Sequence, residues 1–259
     1  MYTPSFKTKK NGVPVLDRKE IDNIGENFIR DFQPSVLTSP APVDIENFTE
    51  FYLGMTPDYQ YLSHNGIYLG MTVFNDTNKV PVYDPATNRA EYISAKARTV
   101  IIDNRLLEKN QEHRYRFTLG HECGHGVFHT AFFAYNPDQL SMFDSNNRPP
   151  MIQCRVDLSA GGQRTTSLRT DRDWMEFHAN AFSSSILMPK TAIQLIAECH
   201  KGYHKTSKGR MDLVNDVART LNVSNQAASY RLKELGYFPK NDMTDYSAGT
   251  ALSDFFDLI

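Results

Sequence analysis

Two histidines four residues apart, with a glutamate directly after the first, are the side chains best suited to chemistry in this chain. They are His121, Glu122 and His125, in the stretch Arg116–His129, which reads as a helix. Helical spacing places both histidines on one face, so both imidazoles can reach one metal ion. Glu122 lies one residue off that line, where a base can take a proton from a metal-bound water. The alternative is a surface helix with two unrelated histidines, because the pentapeptide arises by chance in about one such chain in a hundred.

Three glycines lie inside the same helix, at positions 120, 124 and 126. Each costs about 1 kcal/mol relative to alanine in a helix interior, so the face they form needs a packing reason. Close approach of a second helix or of substrate backbone would supply one. His129 continues the spacing but lies about 12 Å from His121 along a straight helix. We therefore interpret His129 as a packing residue or a partner of a metal-bound histidine, not as a ligand.

A second polar pair lies downstream, in a helix that is predicted from Trp174 to about Met188. Glu176 and Asn180 are four residues apart and share one face. A catalytic zinc site needs three protein ligands and one open position for water, and we predict Glu176 as the third ligand. Asn180 could then accept a hydrogen bond from a metal-bound histidine and hold its ring orientation. Taken alone, this motif is equally consistent with the alternative that Glu176 is an ordinary exposed glutamate.

Together the two stretches resemble the ImmA/IrrE family of intracellular metallopeptidases. The family pattern Phe-Thr-x-x-His-Glu-x-x-His reads here, from Phe117, Phe-Thr-Leu-Gly-His-Glu-Cys-Gly-His. The second pattern, Trp-x-Glu-x-x-Ala-Asn-x-Phe-Ala, reads from Trp174 Trp-Met-Glu-Phe-His-Ala-Asn-Ala-Phe-Ser, and Leu-Met-Pro follows, ending at Pro189. Residues 101–104, Ile-Ile-Asp-Asn, are similar to the strand that precedes the metal helix in that family. Gly120 and Ser183 depart from the pattern mildly, and the longer interval between the motifs predicts different substrate access.

The resemblance implies an α+β fold with a mostly helical, zincin-like peptidase core and a small β-sheet. It implies a zinc-dependent endopeptidase that cleaves a helix-turn-helix repressor and so derepresses genes of a mobile element or a stress response. In that mechanism His121, His125 and Glu176 hold Zn²⁺, which lowers the pKa of a bound water to around 7. Glu122 takes the water's proton and passes it to the leaving amine. The sequence identifies no donor for the oxyanion, and His178 is expected to face away.

Composition suits a globular protein with one sizeable core and a small second module. The chain has 259 residues and a formal net charge of −2, so no general attraction to nucleic acid or membrane is expected. The first fourteen residues do not read as a secretory signal, and no apolar run of about twenty residues is present. Cys123, Cys154 and Cys199 are odd in number and widely spaced, which favours reduced thiols in a cytoplasmic protein. We interpret Cys154 as a structural cysteine in preference to a zinc ligand.

The expected order of segments is a flexible tail, a peptidase core, a helical module and an acidic tail. Their predicted bounds are residues 1–15, 16–205, 206–240 and 241–259, and a long polar loop at 136–172 interrupts the core. Such a loop is either a lid or disordered. Helices are predicted at residues 17–32 and 43–53, and strands at 66–74, 79–83 and 98–103. An edge of this small sheet could bind an extended peptide by strand addition.

The module at 206–240 reads as helix-turn-helix, with a turn at 222–224, Ser224 capping the second helix and Gly236 ending it. One hypothesis is DNA binding, with candidate contacts at Asn225, Gln226, Ser229 and Arg231. The favoured one is that the module packs on the core or docks the substrate repressor. Two other functions stay open: a DNA-binding regulator with a structural or vestigial metal site, and a repressor-binding protein without proteolysis. The acidic tail is a docking helix, a frayed end, or a segment folded onto the basic segment 201–240, where lysine and arginine outnumber aspartate and glutamate.

Overall fold

The computed structural model describes residues 1–134, 150–155 and 170–239, together with Tyr246. Most of the stretch expected to be a lid or a disordered loop, residues 136–172, lies outside these described residues. The acidic tail at 241–259 also lies outside them, apart from Tyr246. Within the described part of the chain, no helix is both long and apolar enough to cross a membrane.

The described residues form an α+β fold, as the sequence predicted. Its helices are α1 (Arg18–Phe32), α2 (Ile45–Asn47), α3 (Glu112–Phe128), α4 (Thr130–Phe133), α5 (Asp171–Leu187), α6 (Lys190–Cys199), α7 (Ser207–Leu221) and α8 (Asn225–Glu234). Its strands are β1 (Thr56–Gln60), β2 (Tyr68–Val73), β3 (Thr77–Asp84), β4 (Arg89–Ala95), β5 (Thr99–Asp103) and β6 (Met151–Arg155). Helix α2 continues into a π-helical turn, Phe48–Tyr52.

Four of the strands form one sheet in the order β1-β5-β2-β6. Strand β1 runs parallel to β5, and β2 runs antiparallel to both β5 and β6. Strands β3 and β4 form a separate antiparallel hairpin. Every residue of β5 is buried, as expected for a central strand of branched apolar residues. Strand β2 contacts α3, so this sheet forms one wall beside the helix that carries the two histidines.

Helix α5 packs closely along α3, and the glycines of α3 make the approach possible. A Cβ atom built on Gly124 would lie 2.8 Å from the Cα atom of Ala179. One built on Gly120 would lie 2.7 Å from the hydroxyl of Ser183. Both positions therefore face the second helix with no room for a methyl group. This is the packing reason that the glycines predicted.

Gly124→Ala is expected to lower the free energy of unfolding. The new methyl group would meet the backbone of Ala179, which cannot turn away, and overpacking of this kind costs ~1–3 kcal/mol. That exceeds the ~1 kcal/mol that alanine gains in helix propensity. Gly126→Ala is the matched control, because there the methyl group meets the mobile end of the Met55 side chain. Urea unfolding should show a loss for the first variant only; equal stability of both would contradict this packing account.

The first fifteen residues are not the loose tail that was expected. Val13 is fully buried, and the backbones of Thr8 and Pro14 form a β-bridge. The amide of Tyr2 donates to the carboxylate of Asp31 at 2.7 Å. Isolated apolar residues in a polar stretch have no periodicity, so the sequence could not indicate that this segment packs on the core.

Strand β6 corrects the expectation of a continuous loop at 136–172. Residues 151–155 pair with β2 and form one edge of the four-stranded sheet. Strands β1 and β4 were also missing from the prediction. Strand pairing between residues far apart in sequence leaves only a weak local signal in a five-residue segment.

Helices α7 and α8 lie where the sequence predicted them. The Ser224 hydroxyl accepts from the amide of Ala227 at 3.1 Å, and Gly236 has a φ of 82°, as expected for a cap and a helix end. Their apolar residues belong to the same hydrophobic core as α1 and α5: Leu213, Val214, Val217, Ala218, Leu221, Ala227, Ala228 and Leu232. The two helices therefore pack on the rest of the protein and do not form a separate core.

Tyr246, within the expected acidic tail, lies on this pair of helices. It is buried and stacks on Phe238 with 5.6 Å between ring centroids. Its hydroxyl accepts from Nε of Arg210 at 3.3 Å. At this residue the tail is folded onto the basic segment, which was one of the three alternatives.

Candidate functional site

Helices α3 and α5 bring together the three side chains that were predicted as metal ligands. The Nε2 atoms of His121 and His125 are 2.9 Å apart. Oε2 of Glu176 lies 3.4 Å from His121 Nε2 and 3.8 Å from His125 Nε2. Ligand atoms of one tetrahedral zinc ion lie roughly 3 to 4 Å apart, so this spacing suits one ion. Both histidines are buried, and Glu176 is partly buried.

Each of the two histidines has a second partner at its other ring nitrogen. Nδ1 of His121 lies 2.8 Å from the side-chain oxygen of Asn180. An amide oxygen only accepts, so Nδ1 carries a hydrogen, and Nε2 is the ring nitrogen that faces the other candidate ligand atoms. Nδ1 of His125 lies 2.9 Å from Nδ1 of His129. The predicted position of Asn180 beside a candidate ligand histidine is therefore the one observed, and its role stays a proposal.

His129 lies outside the group of three and contacts His125 instead. Its Nε2 is 3.4 Å from Nδ1 of His178. The buried rings of His129 and His178 therefore continue in a row from His125. Burial holds the pKa of His129 well below its ordinary value, and the neighbouring His125 and His178 lower it further. Burial likewise lowers the pKa of His178 to about 4. Both rings are therefore neutral near pH 7. They can act on His125 through hydrogen bonds but not through a positive charge.

Glu122 lies in a pocket that β2 forms. The Thr72 hydroxyl donates to its Oε2 at 2.6 Å. A Cβ atom on Gly70 would lie 2.4 Å from its Oε1, so only glycine leaves space for the carboxylate. Oε1 is buried and has no hydrogen-bond partner among the described residues. Thr72 and Gly70 were not predicted, although a glycine inside an apolar strand is a signal of close approach.

Burial raises the pKa of Glu122 to about 7, while the charge of His121 and the Thr72 hydrogen bond oppose the rise. A carboxylate with this pKa exchanges a proton readily near neutral pH. Its position next to, but outside, the group of three ligand atoms suits a base that acts on water at the metal. The sequence predicted this position beside the metal, whereas it gave no indication of the raised pKa; the role of Glu122 as a base stays a proposal.

The remaining charges in the site favour a bound cation. Burial would raise the pKa of Glu176, but the neighbouring His121 and His125 hold it below its ordinary value. Burial lowers the pKa of His125, so its ring is neutral near pH 7. Burial also opposes a charge on His121, yet Cys154 and Glu176 raise its pKa well above the ordinary value. Two imidazoles and a carboxylate that attract positive charge are a suitable donor set for zinc.

Strand β6 brings Cys154 to the same place. Ligand atoms of His121, Glu122 and Cys154 all lie within 4.8 Å of one another, and this second group shares His121 with the first. Burial raises the pKa of the Cys154 thiol, and the charge of His121 opposes the rise. From the sequence, Cys154 was interpreted as a structural cysteine in preference to a zinc ligand. Its proximity to His121 depends on the pairing of β6 with β2, which was not predicted.

Two of the four candidate DNA contacts are corrected by the structure. Arg231 is 1% exposed: its Nη1 lies 2.9 Å from Oδ1 of Asp22, and its Nε donates to the carbonyl of Met188. Ser229 is also buried. Asp22 on α1 holds the arginine inside, and Ser229 is covered by its neighbours. Neither side chain can therefore reach a DNA groove. Asn225 and Gln226 are partly exposed, so they alone stay available as contacts.

Comparison with known protein families supports the reading of the second motif. Residues 156–233 match the family model Peptidase_M78, described as an IrrE N-terminal-like domain. The match covers less than a third of the chain; it includes all of α5 but not α3. It confirms the resemblance to the ImmA/IrrE family and supports a metallopeptidase. No curated protein matches the chain.

Proposed function

We propose that the protein is a zinc-dependent endopeptidase in which His121, His125 and Glu176 hold the metal. The observation that carries the proposal is the convergence of two Nε2 atoms and one carboxylate oxygen within 3.8 Å, with Glu122 beside them. A zinc ion at this place supplies a Lewis acid that acidifies water and polarises a peptide carbonyl. The partial family match to Peptidase_M78 supports the same activity.

Glu122 is the proton carrier in this proposal. Thr72 holds Oε2, and Oε1 is the oxygen without a hydrogen-bond partner, so Oε1 is placed to accept the proton of the attacking water. The same oxygen then returns the proton to the leaving amine. The β2 backbone at Gly70 covers the carboxylate and keeps it desolvated, which maintains its raised proton affinity.

The substrate is an extended segment of a protein. Strand β6 is an edge of the sheet and carries Cys154 next to His121, so a peptide added along this edge would pass the site. Main-chain hydrogen bonds of this kind give affinity with little demand on sequence. A helix-turn-helix repressor is the substrate that the family resemblance indicates, with derepression of mobile-element or stress genes as the consequence.

Cleavage of such a repressor is expected to depend on the metal. Purified repressors from the same genome are incubated with the zinc-loaded chain, with the chain treated with a chelator, and with the treated chain after zinc is returned. Defined fragments should appear in the first and third samples only. Stable binding with no fragment in any sample would favour the repressor-binding alternative. Cleavage that survives complete metal removal would contradict the proposal.

A further inference from the structure

Cys154 is placed to reach the metal site by the register of β6. It pairs with Gly70, the residue whose missing side chain makes room for Glu122. Paired residues on neighbouring strands point to the same face of a sheet, so Cys154 faces the site as Gly70 does. Its side chain is 4% exposed, and its sulfur lies within 4.8 Å of the ligand atoms of His121 and Glu122.

A second observation concerns Glu122 on the same side of the site. Its Oε1 is buried and has no hydrogen-bond partner among the described residues, and the Glu122 carboxylate lies in the group with Cys154 and His121. Imidazole, carboxylate and thiolate are the three donor types that zinc takes from proteins. Structural zinc sites are closed by four protein ligands, whereas catalytic sites leave the fourth position to water.

We propose that the Cys154 thiolate closes the metal site in the resting protein, as a fourth ligand beside His121, His125 and Glu176. This inference rests on the proposed metal site and adds a latent state to it. When the metal binds, the Cys154 S–H proton leaves to solvent and a sulfur–metal bond forms. When the enzyme becomes active, that bond breaks, a water molecule takes the position, and the thiolate takes up one proton from solvent. The supply of water to Glu122 is thereby controlled by one side chain on an edge strand.

The other two cysteines serve as matched controls. Cys123 lies on α3 itself, but its sulfur is 3.1 Å from the Thr49 hydroxyl and it belongs to neither group of ligand atoms. Cys199 is exposed on α6. Only Cys154 among the three therefore shares a position with the candidate ligands.

The test replaces zinc with cobalt(II) in the full chain and records the absorption spectrum at one bound cobalt per chain. A thiolate ligand gives cobalt an intense charge-transfer band in the near ultraviolet, which nitrogen and oxygen ligands do not. The wild type and Cys123→Ser should both show this band. Cys154→Ser and Cys154→Ala should bind one cobalt and lose the band. With zinc, both Cys154 variants should cleave substrate at least as fast as the wild type.

The possible outcomes separate the role of Cys154 from the metal site itself. One bound cobalt without the band in the wild type overturns the role of Cys154 and leaves the peptidase proposal intact. A band that persists in both Cys154 variants also overturns the role of Cys154 and leaves the peptidase proposal intact. Failure of the wild type to bind cobalt or zinc overturns this inference together with the metal site. Circular dichroism of the two variants distinguishes a lost ligand from a lost fold, and a wild-type spectrum without the band overturns the role of Cys154 without any variant.

Discussion

Glu122→Gln is expected to lower the rate of peptide hydrolysis by roughly 10²- to 10⁴-fold, the usual contribution of a positioned general base. Glutamine has the same shape, and its amide oxygen can still accept from Thr72, but it cannot take a proton from water. The fold and the metal content should therefore stay unchanged. Initial cleavage rates at saturating substrate, with zinc measured in the same samples, test the prediction.

Glu108→Gln is the matched control for this substitution, because Glu108 is exposed and lies outside both groups of candidate ligands. It should retain the full rate. Unchanged activity of the Glu122 variant would remove the role assigned to that residue. Loss of zinc together with activity would instead show that the carboxylate contributes to metal binding and not only to proton transfer.

Glu176→Ala is expected to weaken zinc binding by more than the 10- to 100-fold that removal of a partner of a ligand typically costs. The substitution removes the only carboxylate oxygen in the group formed with His121 and His125, and two imidazoles alone do not complete a catalytic site. A competitive titration against a zinc indicator measures the affinity. Thermal unfolding supplies a second readout, since zinc at 100 times its Kd should stabilise the wild type by about 2.7 kcal/mol.

Glu198→Ala, an exposed position on the neighbouring helix α6, is the control and should bind zinc like the wild type. Equal affinity of the Glu176 variant and the wild type would keep a metal site but show that the third ligand is another residue. No zinc in the wild type would remove the metal site and favour a regulator that works without it.

Local spacing was enough to predict much of the candidate site. The four-residue interval between His121 and His125 places both on one face of any helix, whatever surrounds it. The same holds for Glu176 and Asn180, and the glycines of α3 predicted the close approach of a second helix or of substrate backbone. Caps and apolar stripes likewise predicted the turn that ends α7 and both ends of α8, because a helix satisfies its own backbone hydrogen bonds within a few residues.

The surroundings of those residues depended on contacts between distant parts of the chain. Thr72 and Gly70 reach Glu122 from β2, and Cys154 reaches His121 from β6, a strand whose partner lies about eighty residues earlier. Arg231 looked like a DNA contact on its helix, but Asp22 on α1 holds it in the core.

The sequence by itself determined which residues could bind a metal and act as a base, because helical periodicity is a local property of the chain. Only the tertiary structure decided which side chains surround them, how deeply they are buried and which protons they hold. Strand pairing, burial and charge pairing depend on the free energy of the whole fold. The sequence of one local segment therefore predicts them poorly.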